Sequence, residues 1–241
     1  MKEQCKLCLN DEVLRRSHIV PDFVHKPVYG SKHTAVLVEP KKPRRSYRQT
    51  GFWDRLLCDA CEGKLSRLES YFAEVWFGRP LRPTRLQGQS VCISGLDYTR
   101  FKLFHLSILW RAHACALDVF AGVSLGRHAE DIRQRILAND PGPPDVYPIS
   151  GLALRSADGS FKEDLMLLPL GGRFSGHHVY QMLFGGVFWL CAVSSHRRDC
   201  PVPSGLQGDG RLTLFVQEWT KNLAILDLAK QMQTHFKGEK L

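Results

Sequence analysis

The sequence predicts an α+β fold in which a small N-terminal domain precedes helices that pack on a mostly antiparallel sheet. Three observations predict it. Two Cys-x-x-Cys pairs bracket the N-terminal part, apolar residues then recur at helical spacing, and short apolar runs separated by turns fill the C-terminal part. The break at Arg79-Pro80-Leu81-Arg82-Pro83 divides the chain into a domain at 1–80 and a domain at 91–241.

Helical periodicity is present in four segments. The first, 59–77, starts inside the second cysteine pair, and its apolar residues recur every three or four positions. A long apolar helix is predicted over 97–121 and a shorter amphipathic helix over 128–138, which the run Asn139-Asp140-Pro141-Gly142-Pro143-Pro144 ends. A closing helix is predicted over 223–236. The three helices after position 91 supply the layer that covers the sheet.

Strands are predicted in the C-terminal part from its short apolar runs. They cover 147–155, 165–170, 179–184, 187–193 and 211–217. Gly185-Gly186 is typical of a hairpin turn rather than a phosphate loop, because no Lys-Ser or Lys-Thr follows it. The apolar stretch 179–195 is therefore interpreted as two buried strands and not as a membrane span. Since the first residues carry no secretory signal, the sequence predicts a cytoplasmic protein.

Basic residues are concentrated in the N-terminal part. The 241 residues include 33 Lys and Arg against 24 Asp and Glu; the first 90 hold 17 against 10, and the rest hold 16 against 14. The densest run comprises Lys41, Lys42, Arg44, Arg45 and Arg48, with the aromatic residues Tyr47, Phe52 and Trp53 beside it. Such a segment is typical of nucleic-acid binding, because cations neutralise phosphates and rings stack on bases. The alternatives are that the charge serves solubility and that the rings cover the N-terminal domain.

Four of the eight cysteines form two matched pairs. Cys5 and Cys8 make one pair, and Cys58 and Cys61 make the other. A gap of two residues lets both sulfurs of a pair face one point, and four thiolates complete the tetrahedral set of a structural Zn²⁺ ion, as in treble-clef sites. Without a secretory signal, a disulfide framework is not expected. Two alternatives remain: four ordinary buried cysteines, or a redox dithiol.

The residues around the cysteine pairs resemble a known family. Ser17-His18-Ile19-Val20-Pro21 follows the first pair, and Leu56-Leu57-Cys58-Asp59-Ala60-Cys61-Glu62 contains the second. This order resembles that of HNH endonucleases with a zinc-stabilised ββα-metal core, over roughly residues 5–70. The chain also resembles a group of bacterial proteins that share Ser-His-Ile-x-Pro followed by Leu-Leu-Cys-x-x-Cys-Glu.

The resemblance implies a role for each matching residue. His18 matches the general base that deprotonates the attacking water, with a Mg²⁺ or Mn²⁺ ion beside it. Ser17 occupies the position of an acidic or histidine metal ligand, the position of a conserved family asparagine falls near Trp53 or Asp54, and Glu62 replaces the last histidine ligand. Asp54 and Glu62 would then supply the carboxylates for the ion.

Each of these residues also has a structural interpretation. His18 could pack under the zinc site, Asp54 could cap a turn, and Glu62 could favour a helix N-terminus. The sequence leaves three functions open: a metal-dependent endonuclease, a non-catalytic zinc module that binds nucleic acid or a protein, and a scaffold whose function lies in 91–241. It favours a nucleic-acid-associated, HNH-like protein, with the C-terminal domain as a candidate surface for a protein partner.

Overall fold

The computed structural model describes residues 2–29, 51–78, 81–174, 176–194 and 204–221, together with the backbone of 35–37 and 46–48. Within these ranges the chain is mixed α+β, with four α-helices and a mostly antiparallel main sheet, as predicted. The helix predicted over 223–236 lies outside the described residues. None of the described helices is long and apolar enough to cross a membrane.

The N-terminal region contains short strands, a one-turn helix and one long helix. In chain order they are β1 (Glu3–Gln4), β2 (Asp11–Glu12), β3 (Leu14–His18), α1 (Asp22–His25), β4 (Ala35–Leu37), β5 (Ser46–Arg48), β6 (Trp53–Cys58) and α2 (Asp59–Ala73). β1 pairs with β2, β3 with β6 and β4 with β5, all antiparallel. α2 starts at the end of β6, inside the second cysteine pair, and a π-helical turn over Glu74–Gly78 continues it. The helix predicted over 59–77 is confirmed.

The remaining elements form the main sheet and two further helices. They are β7 (Ser90–Ile93), α3 (Tyr98–Ala114), α4 (His128–Ala138), β8 (Ile149–Arg155), β9 (Leu167–Phe174), β10 (His177–Phe184), β11 (Val187–Ala192) and β12 (Leu212–Glu218). The bounds predicted for α4 are correct, and each predicted strand overlaps an observed one. The sequence does not predict β7, because its four residues show no clear alternation.

α3 ends earlier than predicted, at Ala114 rather than at position 121. Beyond it, the Asp54 carboxylate accepts a 2.9 Å hydrogen bond from the backbone N–H of Ala116. A short 3₁₀ turn, Asp118–Phe120, follows. Ala116, which extended the helical pattern, lies between the end of α3 and this turn, and the buried Phe120 of the turn packs on the core without continuing the helix.

The main sheet has six strands in the order β7-β12-β8-β11-β10-β9. All neighbours are antiparallel except β12 and β8, which run parallel. Gly185 and Gly186 join β10 to β11 with φ of 58° and 74°, the left-handed backbone that a two-residue hairpin turn requires. The hairpin predicted at these glycines is confirmed.

One hydrophobic cluster joins the N-terminal region to the sheet. The ring of Phe72 in α2 stacks on that of Phe104 in α3, with centroids 4.0 Å apart. The ring of Trp76 lies 5.4 Å from that of Trp189 in β11, and its Nε1 donates a 2.9 Å hydrogen bond to the Gly185 carbonyl. The division into domains at 1–80 and 91–241 stays a prediction, and residues from both ranges contribute to this core.

Candidate functional site

The paired cysteines come together as one cluster of ligand atoms. The sulfurs of Cys5, Cys8, Cys58 and Cys61 all lie within 4.8 Å of one another, and the Sγ atoms of Cys8 and Cys58 are 3.8 Å apart. Four sulfurs at about 2.3 Å from a zinc ion form a tetrahedron with edges of about 3.8 Å. The cluster could therefore hold a metal ion such as zinc, and the predicted grouping of the cysteines is confirmed.

The backbone around Cys5 is folded to stabilise a thiolate. The Cys5 N–H donates to the Asn10 carbonyl, the Cys5 carbonyl accepts from Leu9, and the Cys58 N–H donates to Cys5 Sγ at 3.3 Å. Burial raises the pKa of Cys5, but backbone donors outweigh it and lower the pKa from 9.0 to about 7. At Cys61, burial raises the pKa without such compensation. Binding of a cation would release the protons that the remaining thiols keep.

Helix α4, in the C-terminal part of the chain, contacts the loop of the first cysteine pair. Arg133 is buried, and its guanidinium donates to the carbonyl of Leu7. Its other nitrogens donate to the Glu130 carboxylate at 2.6 and 2.7 Å. Leu7 itself is fully buried between the two cysteines of the pair. The cysteine cluster is therefore attached both to the antiparallel β3–β6 pair and to α4.

Two positions that the HNH resemblance assigns to metal ligands are hydrogen-bonded to each other. Ser17 is fully buried, and its hydroxyl donates to Oε1 of Glu62. Burial raises the pKa of Glu62, while the hydrogen bond from Ser17 and the charge of Arg111 act in the opposite direction. Since Glu62 lies in the first turn of α2, the bond also connects the start of this helix to β3.

Asp54 of β6 lies opposite Ser17 of β3, but its carboxylate is directed to the end of α3. Oδ2 accepts from the N–H of Ala116 at 2.9 Å, and Oδ1 accepts from the N–H of Arg55 at 2.7 Å. Among the described residues, the cysteine cluster is the one group of three or more His, Cys, Asp or Glu ligand atoms that converges. These contacts give no support to a Mg²⁺ or Mn²⁺ site built from Asp54 and Glu62.

His18 ends β3, opposite Trp53 of β6, and is half-buried. Its carbonyl accepts a 2.6 Å hydrogen bond from Nη1 of Arg111, which also donates to Oε1 of Glu69 at 2.7 Å. Arg111 is 1% exposed, so this contact connects β3, α2 and α3 from the inside of the molecule. The backbone of His18 is thereby fixed in a residue that is only half-buried.

The β3–β6 pair carries exposed cations beside an exposed aromatic ring. Trp53 is 38% exposed, and the guanidinium of Arg16 lies over its ring, 3.7 Å from the centroid. Arg15 and Arg55 flank them, and both guanidinium side chains are more than half exposed. We call these four residues, Arg15, Arg16, Trp53 and Arg55, the Trp53 surface.

The basic run predicted to bind nucleic acid cannot be placed beside this surface. Lys41, Lys42, Arg44 and Arg45 lie outside the described residues, and Arg48 is described only as part of the backbone of β5. Their role in nucleic-acid binding stays a prediction.

Comparison of the chain with protein-family models, with curated proteins and with solved structures finds no match. No family is assigned by these comparisons. The HNH resemblance therefore depends on the residues named above, and the function is inferred from the site itself.

Sequence reasoning does not single out three polar residues that surround His18, namely His25, Glu69 and Arg111. His25 follows His18 by seven residues, but His18 ends a strand and His25 lies in α1, so no periodicity relates the two. Glu69 follows Glu62 by seven residues, two helical turns along the same side of α2, which is a signal that could have found it. For Arg111 the signal is a charge that directly follows the mostly apolar run 103–110 of α3.

Proposed function

We propose that this chain is a zinc-organised, HNH-like protein that binds nucleic acid through its N-terminal region. The four-cysteine cluster holds one structural zinc ion, which fixes the start of α2 against the β3–β6 pair. Three of the four cysteines are buried, whereas a redox dithiol needs an accessible thiolate, so the geometry favours metal binding. A site closed by four thiolates leaves zinc no position for a substrate, so its role is structural.

The observation that carries the proposal is the Trp53 surface. An exposed indole with a guanidinium stacked on it offers a platform for a nucleic-acid base. The carboxylate partners of Arg15 and Arg55 are exposed, which makes these ion pairs weak. Both guanidinium groups can therefore exchange a carboxylate for a phosphate. The excess of cations in the first 90 residues attracts a polyanion to this region.

Fluorescence-anisotropy titrations with single-stranded DNA, duplex DNA and RNA at several salt concentrations test the proposal. Binding should weaken steeply with salt, because neutralised phosphates release counterions. Trp53→Ala should weaken binding about tenfold, since one stacked base contributes about 1–3 kcal/mol. Arg16→Ala should reduce the salt slope by about one. Arg211→Ala is the matched control, because it removes an equally exposed guanidinium from the turn before β12. Equal affinities of all four proteins would exclude the Trp53 surface.

A second candidate function is cleavage of nucleic acid with His18 as the general base. One observation favours it: the half-buried His18 lies opposite Trp53 in the two-stranded sheet, next to the proposed stacking platform. The contacts of Ser17, Asp54 and Glu62 do not assemble the ion site that such cleavage uses, so binding without cleavage ranks first.

Incubation of plasmid DNA and of RNA with the zinc-loaded protein and Mg²⁺ or Mn²⁺ separates the two functions. Cleavage that is lost in His18→Ala and kept in His178→Ala, which alters an exposed histidine of β10, would assign the base to His18. Intact substrates with all three proteins would leave binding as the function.

A further inference from the structure

His25 presents an unused ring nitrogen to the backbone of Gly51, beside His18. The residue is 7% exposed, and among the described residues its Nε2 has no hydrogen-bond partner. The ring instead bonds the backbone of Val20, which leaves Nδ1 as the nitrogen that makes this bond. When Nδ1–H donates to a carbonyl, the lone pair of the neutral ring is on Nε2. Burial also lowers the pKa of His25 to about 4, so Nε2 is unprotonated at neutral pH.

Gly51 keeps the space between the two imidazoles open. A Cβ on this residue would lie 3.1 Å from Nε2 of His25 and 3.6 Å from Cδ2 of His18, the ring carbon bonded to Nε2. The φ of Gly51 is not positive, so the position does not need the conformational freedom of glycine. What glycine provides here is the absence of a side chain at the point that lies close to both imidazoles.

Tyr29 packs beside His25 and carries a second such atom. Among the described residues its buried hydroxyl has no hydrogen-bond partner, and its ring lies 6.3 Å from that of His25. A buried polar atom without a partner is destabilising. Two such atoms on neighbouring rings point to a bound species that completes them.

We infer that His18 and His25 form a second metal site, which binds one divalent first-row transition ion. Nε2 of His25 and a ring nitrogen of His18 are the protein ligands, and water fills the remaining positions, one of them beside the Tyr29 hydroxyl. Imidazole pairs favour ions such as Co²⁺, Ni²⁺ and Zn²⁺, whereas Mg²⁺ prefers oxygen ligands. The bond to Val20 fixes the His25 ring, as outer hydrogen bonds do for metal-ligating histidines.

Isothermal titration of the zinc-loaded protein with Co²⁺ tests this site. We expect one equivalent of Co²⁺ to bind without the thiolate-to-cobalt absorption that exchange at the cysteines would produce. His25→Gln alters one ligand, and Gly51→Ala fills the space but keeps both ligands. Each should weaken Co²⁺ binding by roughly 10–100-fold. His178→Gln changes an exposed imidazole on β10 and should bind Co²⁺ like the unsubstituted protein.

A measurement on the unsubstituted protein avoids any effect of the substitutions on folding. Paramagnetic Co²⁺ should shift and broaden the ring-proton resonances of His18 and His25 before those of other histidines. Absence of Co²⁺ binding, perturbation of other rings first, or equal affinity in folded variants would each overturn the inference. Because Co²⁺ binding is measured without nucleic acid, this outcome is distinguishable from a failure of the proposed function.

Discussion

Leu9 has a backbone conformation that its own side chain opposes. Its φ is 66°, in the left-handed region, at the turn that closes the first cysteine pair. The side chain is 47% exposed, so little packing compensates for the strain. For a residue with a Cβ this conformation costs roughly 1–2 kcal/mol.

We therefore expect Leu9→Gly to raise the free energy of unfolding by about 0.5–1 kcal/mol, because relief of strain exceeds the extra freedom that glycine gives the unfolded chain. Val13→Gly is the control, since Val13 is also exposed but has no positive φ, and this substitution should destabilise the protein. Urea unfolding of the zinc-loaded proteins measures both. A less stable Leu9→Gly protein would mean that contacts of the leucine outweigh the strain.

His105 makes the stability of the aromatic core depend on pH. It is fully buried, Nδ1 bonds the Phe101 carbonyl at 2.9 Å, and within the described part of the chain Nε2 has no partner. Burial lowers its pKa from 6.5 to about 4, so the unfolded chain binds a proton that the folded protein excludes. The contribution of His105 to stability is complete above about pH 6.5 and is lost as the pH falls toward 4, by about 3 kcal/mol.

His105→Leu should remove this part of the acid sensitivity. Between pH 7 and pH 4, the difference in unfolding free energy between the two proteins should change by about 3 kcal/mol in favour of the variant. Both proteins keep His25 and the cysteines, so the comparison cancels the acid effects of those groups. A difference that stays constant over this range would show that another group titrates.

At the residue scale, the sequence identifies which side chains could act but not what they contact. The cysteine ligands are recognisable because each pair is local and the two pairs match. The bond from Ser17 to Glu62 joins residues 45 positions apart, and that from Ala116 to Asp54 joins residues 62 positions apart. No spacing rule relates such residues, because the fold alone brings them together. The same is true of His25 and Gly51.

At the scale of the elements, Arg111 connects α3 to β3 and to α2. We expect Arg111→Met to lower the free energy of unfolding by about 3–5 kcal/mol, because the Glu69 carboxylate and the His18 carbonyl lose a buried partner. Arg100→Met removes an exposed pair with Asp97 in the same helix and should cost less than about 1 kcal/mol.

Urea unfolding of both variants measures the contrast. If Arg111→Met costs no more than Arg100→Met, the burial of the Arg111 charge cancels what its contacts contribute.

Most elements follow from local patterns, and the exceptions have tertiary causes. α4 is predicted with its correct bounds because the proline-rich run after it prevents helix continuation. α3 is predicted too long because the stop is a contact with Asp54, which no local signal encodes. β7 is missed because it is short, lies at the sheet edge and pairs with β12 near the other end of the described chain.

For the whole molecule, removal of zinc should destabilise more than the N-terminal region, because the core is shared with the sheet. We expect a chelator to lower the melting temperature by more than about 10 °C, since a loss of several kcal/mol shifts it by about 2–4 °C per kcal/mol. Far-ultraviolet and near-ultraviolet circular dichroism should fall in one transition, as α2 and Trp189 lose their packing together.

Two cysteine substitutions control this measurement. Cys61→Ser should reproduce the effect of the chelator, whereas Cys92→Ser alters an exposed cysteine outside the cluster and should leave the melting temperature unchanged. If zinc removal unfolds 1–80 while the near-ultraviolet signal of the sheet persists, the division into two domains predicted from the sequence is correct.

The position of β12 in the sheet has a consequence for how the chain folds as it is synthesised. β12 lies between β7 and β8, yet it is the last of the described strands to leave the ribosome. Until then β7 and β8 have no strand between them, and their facing edges are open to other chains. The cysteines, the β3–β6 pair and α2 emerge much earlier, so the proposed zinc site can fill while the sheet is still open. On the proposed function, translation that stops before β12 would therefore release a metal-loaded protein prone to aggregate.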